Sequence, residues 1–129
     1  MGRKQKGISL ERAIVHMFWQ TESWACHRIA GSGSSKYPSP DLIASNNLRK
    51  LAIECKSTKG KSLYIPKAEI AALQAFSEMF GAEPWVAVKF ARENIFFLSI
   101  EDIKQTEASF CITLEQARFK GLLFEELVS

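Results

Sequence analysis

The chain reads as an α/β domain with a central mixed β-sheet flanked by helices, and three observations predict it. Leu10, Ala13, Ile14, Met17 and Phe18 recur at the spacing of one helix face, and Ile70, Leu73, Phe76 and Phe80 do so in a second segment. Around these segments lie short apolar runs of strand length, bounded by Gly, Pro, Ser and Asn. Their order, α-β-loop-β-β-α-β-β, interleaves helices with strands and favours one sheet covered by helices. With 129 residues, 47% hydrophobic and 24% charged, one self-sufficient domain spanning 1–129 is expected.

Taken in order, residues 1–7 are polar and basic and predict a flexible arm. A helix follows over 9–21. Ser9 is its expected N-cap, which puts Glu11 and Arg12 in the first turn. Residues 24–30 alternate as a strand, and 31–40 (GSGSSKYPSP) form a loop whose glycines and prolines exclude helix. Residues 41–45 and 48–56 predict two strands of a hairpin. Asn46-Asn47 makes the turn, because asparagine tolerates positive φ. After a basic turn at 57–62 and an extended run at 63–65, Pro66 opens a helix that reaches Phe80 and stops at Gly81. Residues 85–90 and 95–100 are strands, and 110–113 is a further short strand. The terminal LLFEELVS is a helix end or an edge strand. No internal repeat or low-complexity tract is present.

No apolar run approaches the roughly 18 residues of a membrane span. No apolar stretch follows the basic N-terminus as a secretory signal would require. The three cysteines, Cys26, Cys55 and Cys111, are scattered, fit a reducing cytoplasm, and read as small core residues rather than zinc ligands. The net charge of +3 hides an asymmetry. Residues 1–67 carry 12 Lys/Arg against 4 Asp/Glu, and residues 68–129 carry 5 against 10. A basic half points to a polyanionic partner, with nucleic acid the first candidate. The four acids in that half, Glu11, Glu22, Asp41 and Glu54, would repel a phosphate backbone unless a cation lay between them.

The hairpin explains two of these acids. It brings Asp41, at the start of one strand, beside Glu54-Cys55-Lys56, at the end of the next. Alternation puts Glu54 and Lys56 on one face and turns Cys55 to the other, leaving its backbone carbonyl free to meet a metal. Two carboxylates and a carbonyl are hard oxygen donors, suited to Mg2+ with Mn2+ as substitute. Acidifying a bound water and clamping a phosphate are what phosphodiester hydrolysis needs, with Lys56 beside the reacting group.

Pro40-Asp41 followed by Glu54-Cys55-Lys56 resembles the PD-(D/E)xK nuclease signature. GISLER (7–12), RIAGSG (28–33), PDLIA (40–44) and LYIPKAEIAALQAFSEMFGAEPWVAVKF (63–90) together resemble the archaeal Holliday junction resolvases. The resemblance implies a restriction-endonuclease-like core and a metal-dependent endonuclease. Such an enzyme cuts opposing strands of a four-way junction symmetrically in recombination and repair, leaving 5′-phosphates. It implies a third metal-binding acid at Glu11, alongside Asp41, Glu54 and the Cys55 carbonyl. It also implies catalytic roles for Arg12, Arg28 and Lys56, and for a serine in the 31–38 loop, Ser32 or Ser34. Finally, it implies a homodimer, which suits a two-fold substrate.

Lys4, Lys6, Arg12, Arg28, Lys36, Lys59, Lys61 and Lys67 are the expected contacts to the DNA backbone, which give affinity rather than sequence choice. Of the fourteen aromatics, Phe76, Phe80, Phe96 and Phe97 are candidates for a dimer interface, with core packing the plainer reading for each. His16 and His27 receive no role. Two other readings stand beside the resolvase. One is a restriction-like or repair nuclease of the same fold acting on duplex or flapped DNA. The other is a DNA-binding module without catalysis.

Overall fold

The computed structural model describes residues 3–31 and 36–129, with side chains from Ser9 onward. The element order is α1 (Arg3–Gln20), β1 (Ala25–Arg28), β2 (Leu42–Ser45), β3 (Lys50–Thr58), β4 (Ser62–Pro66), α2 (Lys67–Phe80), β5 (Glu83–Phe90), β6 (Ile95–Ser99), a 3-10 turn (Ile100–Asp102), β7 (Lys104–Gln105), β8 (Ser109–Thr113), α3 (Leu114–Lys120) and α4 (Phe124–Val128). The central sheet is mixed, in the order β1-β2-β3-β5-β6. Only β3 and β5 run parallel; their neighbours pair antiparallel.

A helix packs on each face of this sheet. Leu10, Ile14 and Phe18 of α1, each four residues from the last, are buried against Trp24, Leu42, Leu51, Ile53 and Phe97. Ala13 is exposed and Met17 only half-buried, so the stripe is narrower than predicted. On the other face Ile70 and Leu73 of α2 pack on Ala52, Val86, Val88 and Leu98. Strand β3 is covered on both sides, and its run Leu51-Ala52-Ile53 is wholly buried. Gly81 ends α2 in the left-handed region at φ 77°, donating to the Ser77 carbonyl, as its position predicted.

Three expectations are corrected. Helix α1 begins at Arg3, so residues 3–7 are helical rather than a flexible arm. Arg, Lys and Gln are strong helix formers, and Gly7 alone costs only about 1 kcal/mol. Ser9 therefore lies inside the helix and is no N-cap, and Glu11 sits mid-helix rather than in the first turn. Phe96 and Phe97 are buried in the core and are not available to an interface.

Two features escaped the sequence reading. Strands β4, β8 and β7 form a separate three-stranded sheet. Helix α3 is closed by a capping box in which Thr113 and Gln116 exchange side-chain and backbone hydrogen bonds. The terminal segment does both things expected of it. Leu122 bridges to Phe97, and α4 follows.

Candidate active site

The site lies where β3 outruns β2. Pairing between them ends at Leu42 with Ile53, while β3 continues to Thr58 along β5 alone. The next groups on the freed edge of β3 need another partner, and Asp41 supplies it. Its N–H donates to the Ile53 carbonyl at 3.1 Å, and its Oδ2 accepts from the Cys55 N–H at 2.9 Å. Asp41 thus fills a ladder position with a carboxylate, which fixes its side chain across from Glu54-Cys55-Lys56. A strand residue's N–H and C=O leave by the same edge, so the Cys55 carbonyl faces Asp41 as well. The Cys55 side chain is buried among Leu10, Leu51 and Ile53, and burial holds its thiol well above the ordinary range. Cys26 is likewise buried, its thiol pushed up to about 12, while Cys111 is only half-buried.

The turn that sets this register is built by Asn46, whose Oδ1 accepts from the N–H of Leu48 and Arg49 at 3.0 and 2.8 Å. Asn47 takes the positive φ of 83°. Arg49 then ties the hairpin down. It grips both carboxylate oxygens of Glu83 at 2.8 and 2.9 Å, donates to the Leu127 carbonyl at 2.7 Å, and lies 5.6 Å over the Trp24 ring.

A cavity of about 660 Å3 opens over the carboxylates, walled by Glu11, Lys36, Asp41, Glu54, Cys55, Lys56 and Glu69, among others. Glu54 and Lys56 are half-buried in it. Burial and the charge of Asp41 push the Glu54 carboxyl up to about 8, against the opposing pull of Lys56. A half-buried carboxyl facing a second carboxylate is the donor chemistry that a hard cation takes. Lys56 is held above its ordinary value: burial opposes this, but its hydrogen bond to Glu69 and the nearby Glu54 and Asp41 outweigh it. It is therefore an ammonium at neutral pH, able to donate hydrogen bonds and to neutralise phosphate, not a base.

Glu11 reaches the cavity from α1, but its Oε1 is tied to Arg28 Nε at 2.9 Å. Among the described residues, no three His, Cys, Asp or Glu side chains stand at metal-ligand spacing. Asp41 and Glu54 thus have the donor chemistry for a hard cation, and Glu11 lines the same cavity. Arg28 and Arg12 are exposed and lie outside the cavity wall. Lys36 lines it, while Lys59 and Lys61 stand exposed on the β3–β4 turn and Lys67 opens α2. Glu22 ends up in the turn after α1, away from the cavity, at φ 62°. Ser32 and Ser34, and the side chains of Lys4 and Lys6, lie outside the described residues. Glu69 was missed in the sequence; as the fourth residue of PKAE at a helix start it reads there as an acid favoured by the helix N-terminus.

Comparison with known proteins bears on the family and the fold. The family model described as archaeal Holliday junction resolvase (Hjc) matches residues 2–129. The crossover junction endodeoxyribonuclease Hjc of Archaeoglobus fulgidus is 37% identical over 95% of both chains. That of Sulfolobus acidocaldarius is 32% identical over 99% of this chain and 90% of its own. The solved structure of Archaeoglobus fulgidus Hjc, a Holliday junction resolvase, superposes with a TM-score of 0.88 at 34% identity, covering 95% of this chain and all of the other. The mixed sheet with helices on both faces is the fold of that structure, restriction-endonuclease-like as the signature implied. From this match along its whole length, the chain belongs to the archaeal Holliday junction resolvase family.

Proposed function

We propose that this chain resolves four-way DNA junctions by paired, symmetric hydrolysis of phosphodiesters with the help of a divalent cation, Mg2+ first. The family makes it a crossover junction endodeoxyribonuclease of recombination and repair. The observation that carries the finer reading is the cavity in which Asp41 and Glu54 face each other beside Lys56. Asp41, Glu54 and the Cys55 carbonyl would hold the cation, with Glu11 as a third carboxylate once freed from Arg28. When bound, the cation would offset phosphate charge and acidify an attacking water. The chain's own groups do the rest. Asp41 is fixed by the Cys55 N–H, so the donor set is preorganised. Lys56 donates to the non-bridging phosphate oxygens as negative charge builds there. Arg28, released if Glu11 turns inward, would meet the backbone beside the cut.

Two strands of a junction must be cut, and one cavity serves one strand, so a two-fold dimer supplies the second. Phe80 is 43% exposed, stacks on Phe76 at 4.9 Å, and borders Ile43 and Ala25 at the β1–β2 side of the sheet. That apolar face is the surface offered to a second copy.

The test is cleavage of a labelled four-way junction against linear duplex of matched sequence, with Mg2+ and with EDTA, for wild type and Asp41→Asn. Metal-dependent paired cuts in the junction alone, lost in Asp41→Asn while binding persists, are the expected result. Equal cutting of linear duplex would replace the resolvase with a general nuclease of the same fold. Shape-selective binding with no cutting under any cation would leave a binding module.

A further inference from the structure

We propose that Glu69 is a positioning residue for the reaction, holding the Lys56 ammonium in the cleft and off the Glu54 carboxylate, where a cation would bind; this rests on the nuclease reading above. Lys56 Nζ lies 2.6 Å from Glu69 Oε1, and both residues wall the same cavity as Asp41 and Glu54. A lysine has a long flexible stem and three donors on its ammonium. Without the Glu69 acceptor it would turn onto Glu54, which walls the same cavity. It would then occupy the place a divalent cation needs and spend its donors before any phosphate arrived.

Glu69 prevents that by geometry. It sits in the first turn of α2 and precedes Ile70, which is 1% exposed, with Leu73 at 2% one turn on. The helix is thereby pinned to the sheet at the point where the carboxylate leaves it. One Lys56 donor goes to this fixed acceptor and two remain to face the cavity. An ion pair this exposed, at 30% and 38% for the two side chains, contributes little to stability. A purely structural pair would therefore leave no trace in the reaction.

The experiment uses the full chain with Glu69→Ala, Glu69→Gln and Glu69→Asp. It measures single-turnover junction cleavage across a Mg2+ titration and junction affinity in EDTA. It also measures acetylation of Lys56 by acetic anhydride in DNA-free, metal-free protein, read by mass spectrometry. Expected are cleavage slowed about 10- to 100-fold at limiting Mg2+ in Glu69→Ala and Glu69→Gln, eased as added Mg2+ displaces Lys56, with partial recovery in Glu69→Asp. Junction affinity should stay within about 2-fold, and Lys56 should acetylate faster in Glu69→Ala. If Glu69→Ala fails to fold, Glu69→Gln carries the same reading with the shape of the side chain kept. Unchanged cleavage in the presence of faster acetylation overturns the proposal, because the pair would then be idle in the reaction. A raised Mg2+ requirement with Lys56 acetylation unchanged also overturns it and makes Glu69 a cation ligand. A wild type that cuts no junction with any divalent cation overturns the nuclease reading and this role with it.

Discussion

Glu54 carries the sharpest consequence at the level of a single residue. Its carboxyl is pushed up to about 8 from an ordinary 4.5, by burial first and by Asp41 second. Between those values the folded protein holds a proton that the unfolded chain has released. Folding stability without metal must therefore fall as pH rises through this window, by at most roughly 1.4 kcal/mol per pH unit. Urea melts in EDTA at pH 5 and pH 8 should show the decline, and Glu54→Gln should remove it. Added Mg2+ should raise the stability of wild type at pH 8 and leave Glu54→Gln almost unmoved. A flat pH profile in wild type would mean that Glu54 is solvated and ionised throughout. Asp41, Glu54 and Lys56 were legible in the sequence because strand alternation and a two-asparagine turn are local rules. The pairing of Lys56 with Glu69, and of Glu11 with Arg28, was not. These partners stand 13 and 17 residues apart in sequence and meet only through the packing of different elements.

At the level of elements, local signals succeeded where each element carries its own stop. Gly81 ends α2, and Asn46-Asn47 turns the hairpin. They failed for α1, where Ser9 looks like a cap although the helix formers before it continue the helix to Arg3. Helix α3 had a readable start in Thr113-Leu114-Glu115-Gln116, a capping-box spacing. It is only seven residues long, too short for periodicity to reveal. Two element junctions give measurable predictions. A Cβ on Gly121 would come 2.4 Å from the Ala117 carbonyl oxygen and 2.9 Å from Phe96 Cβ, so Gly121→Ala must push α3 off β6. It should destabilise by about 1–3 kcal/mol in a denaturant melt. Arg49 holds the hairpin turn, β5 and the end of α4 together, and nothing local in the sequence marked it. Arg49→Ala should destabilise by about 1–2 kcal/mol, less than a buried pair would, because water reaches the 30%-exposed guanidinium.

The whole molecule combines a basic half that holds the hairpin and its carboxylates with an acidic half that completes the sheet. The excess of Lys and Arg over residues 1–67 suits a phosphate-rich substrate, and three of the four acids inside that half, Glu11, Asp41 and Glu54, line one cavity. Symmetry is the remaining requirement. Met79 and Phe80 stand exposed at the end of α2. A second copy laid on that face would cover Phe80, bury the Phe76 stack beneath it, and set two cavities across a two-fold axis. Phe80→Glu removes the apolar ring from the centre of that contact and puts a charged, hydrated group beside Lys50, whose ammonium lies 5.4 Å from the ring centroid. Gly81 and the buried Ile70 and Leu73 are untouched, so the fold should persist. By sedimentation, wild type should run as a dimer and Phe80→Glu as a monomer. On a junction the variant should give single nicks in place of paired cuts from one encounter. A variant that stays dimeric would move the interface to another face. A monomeric variant that still makes paired cuts would show that the second incision needs no second subunit bound through this surface.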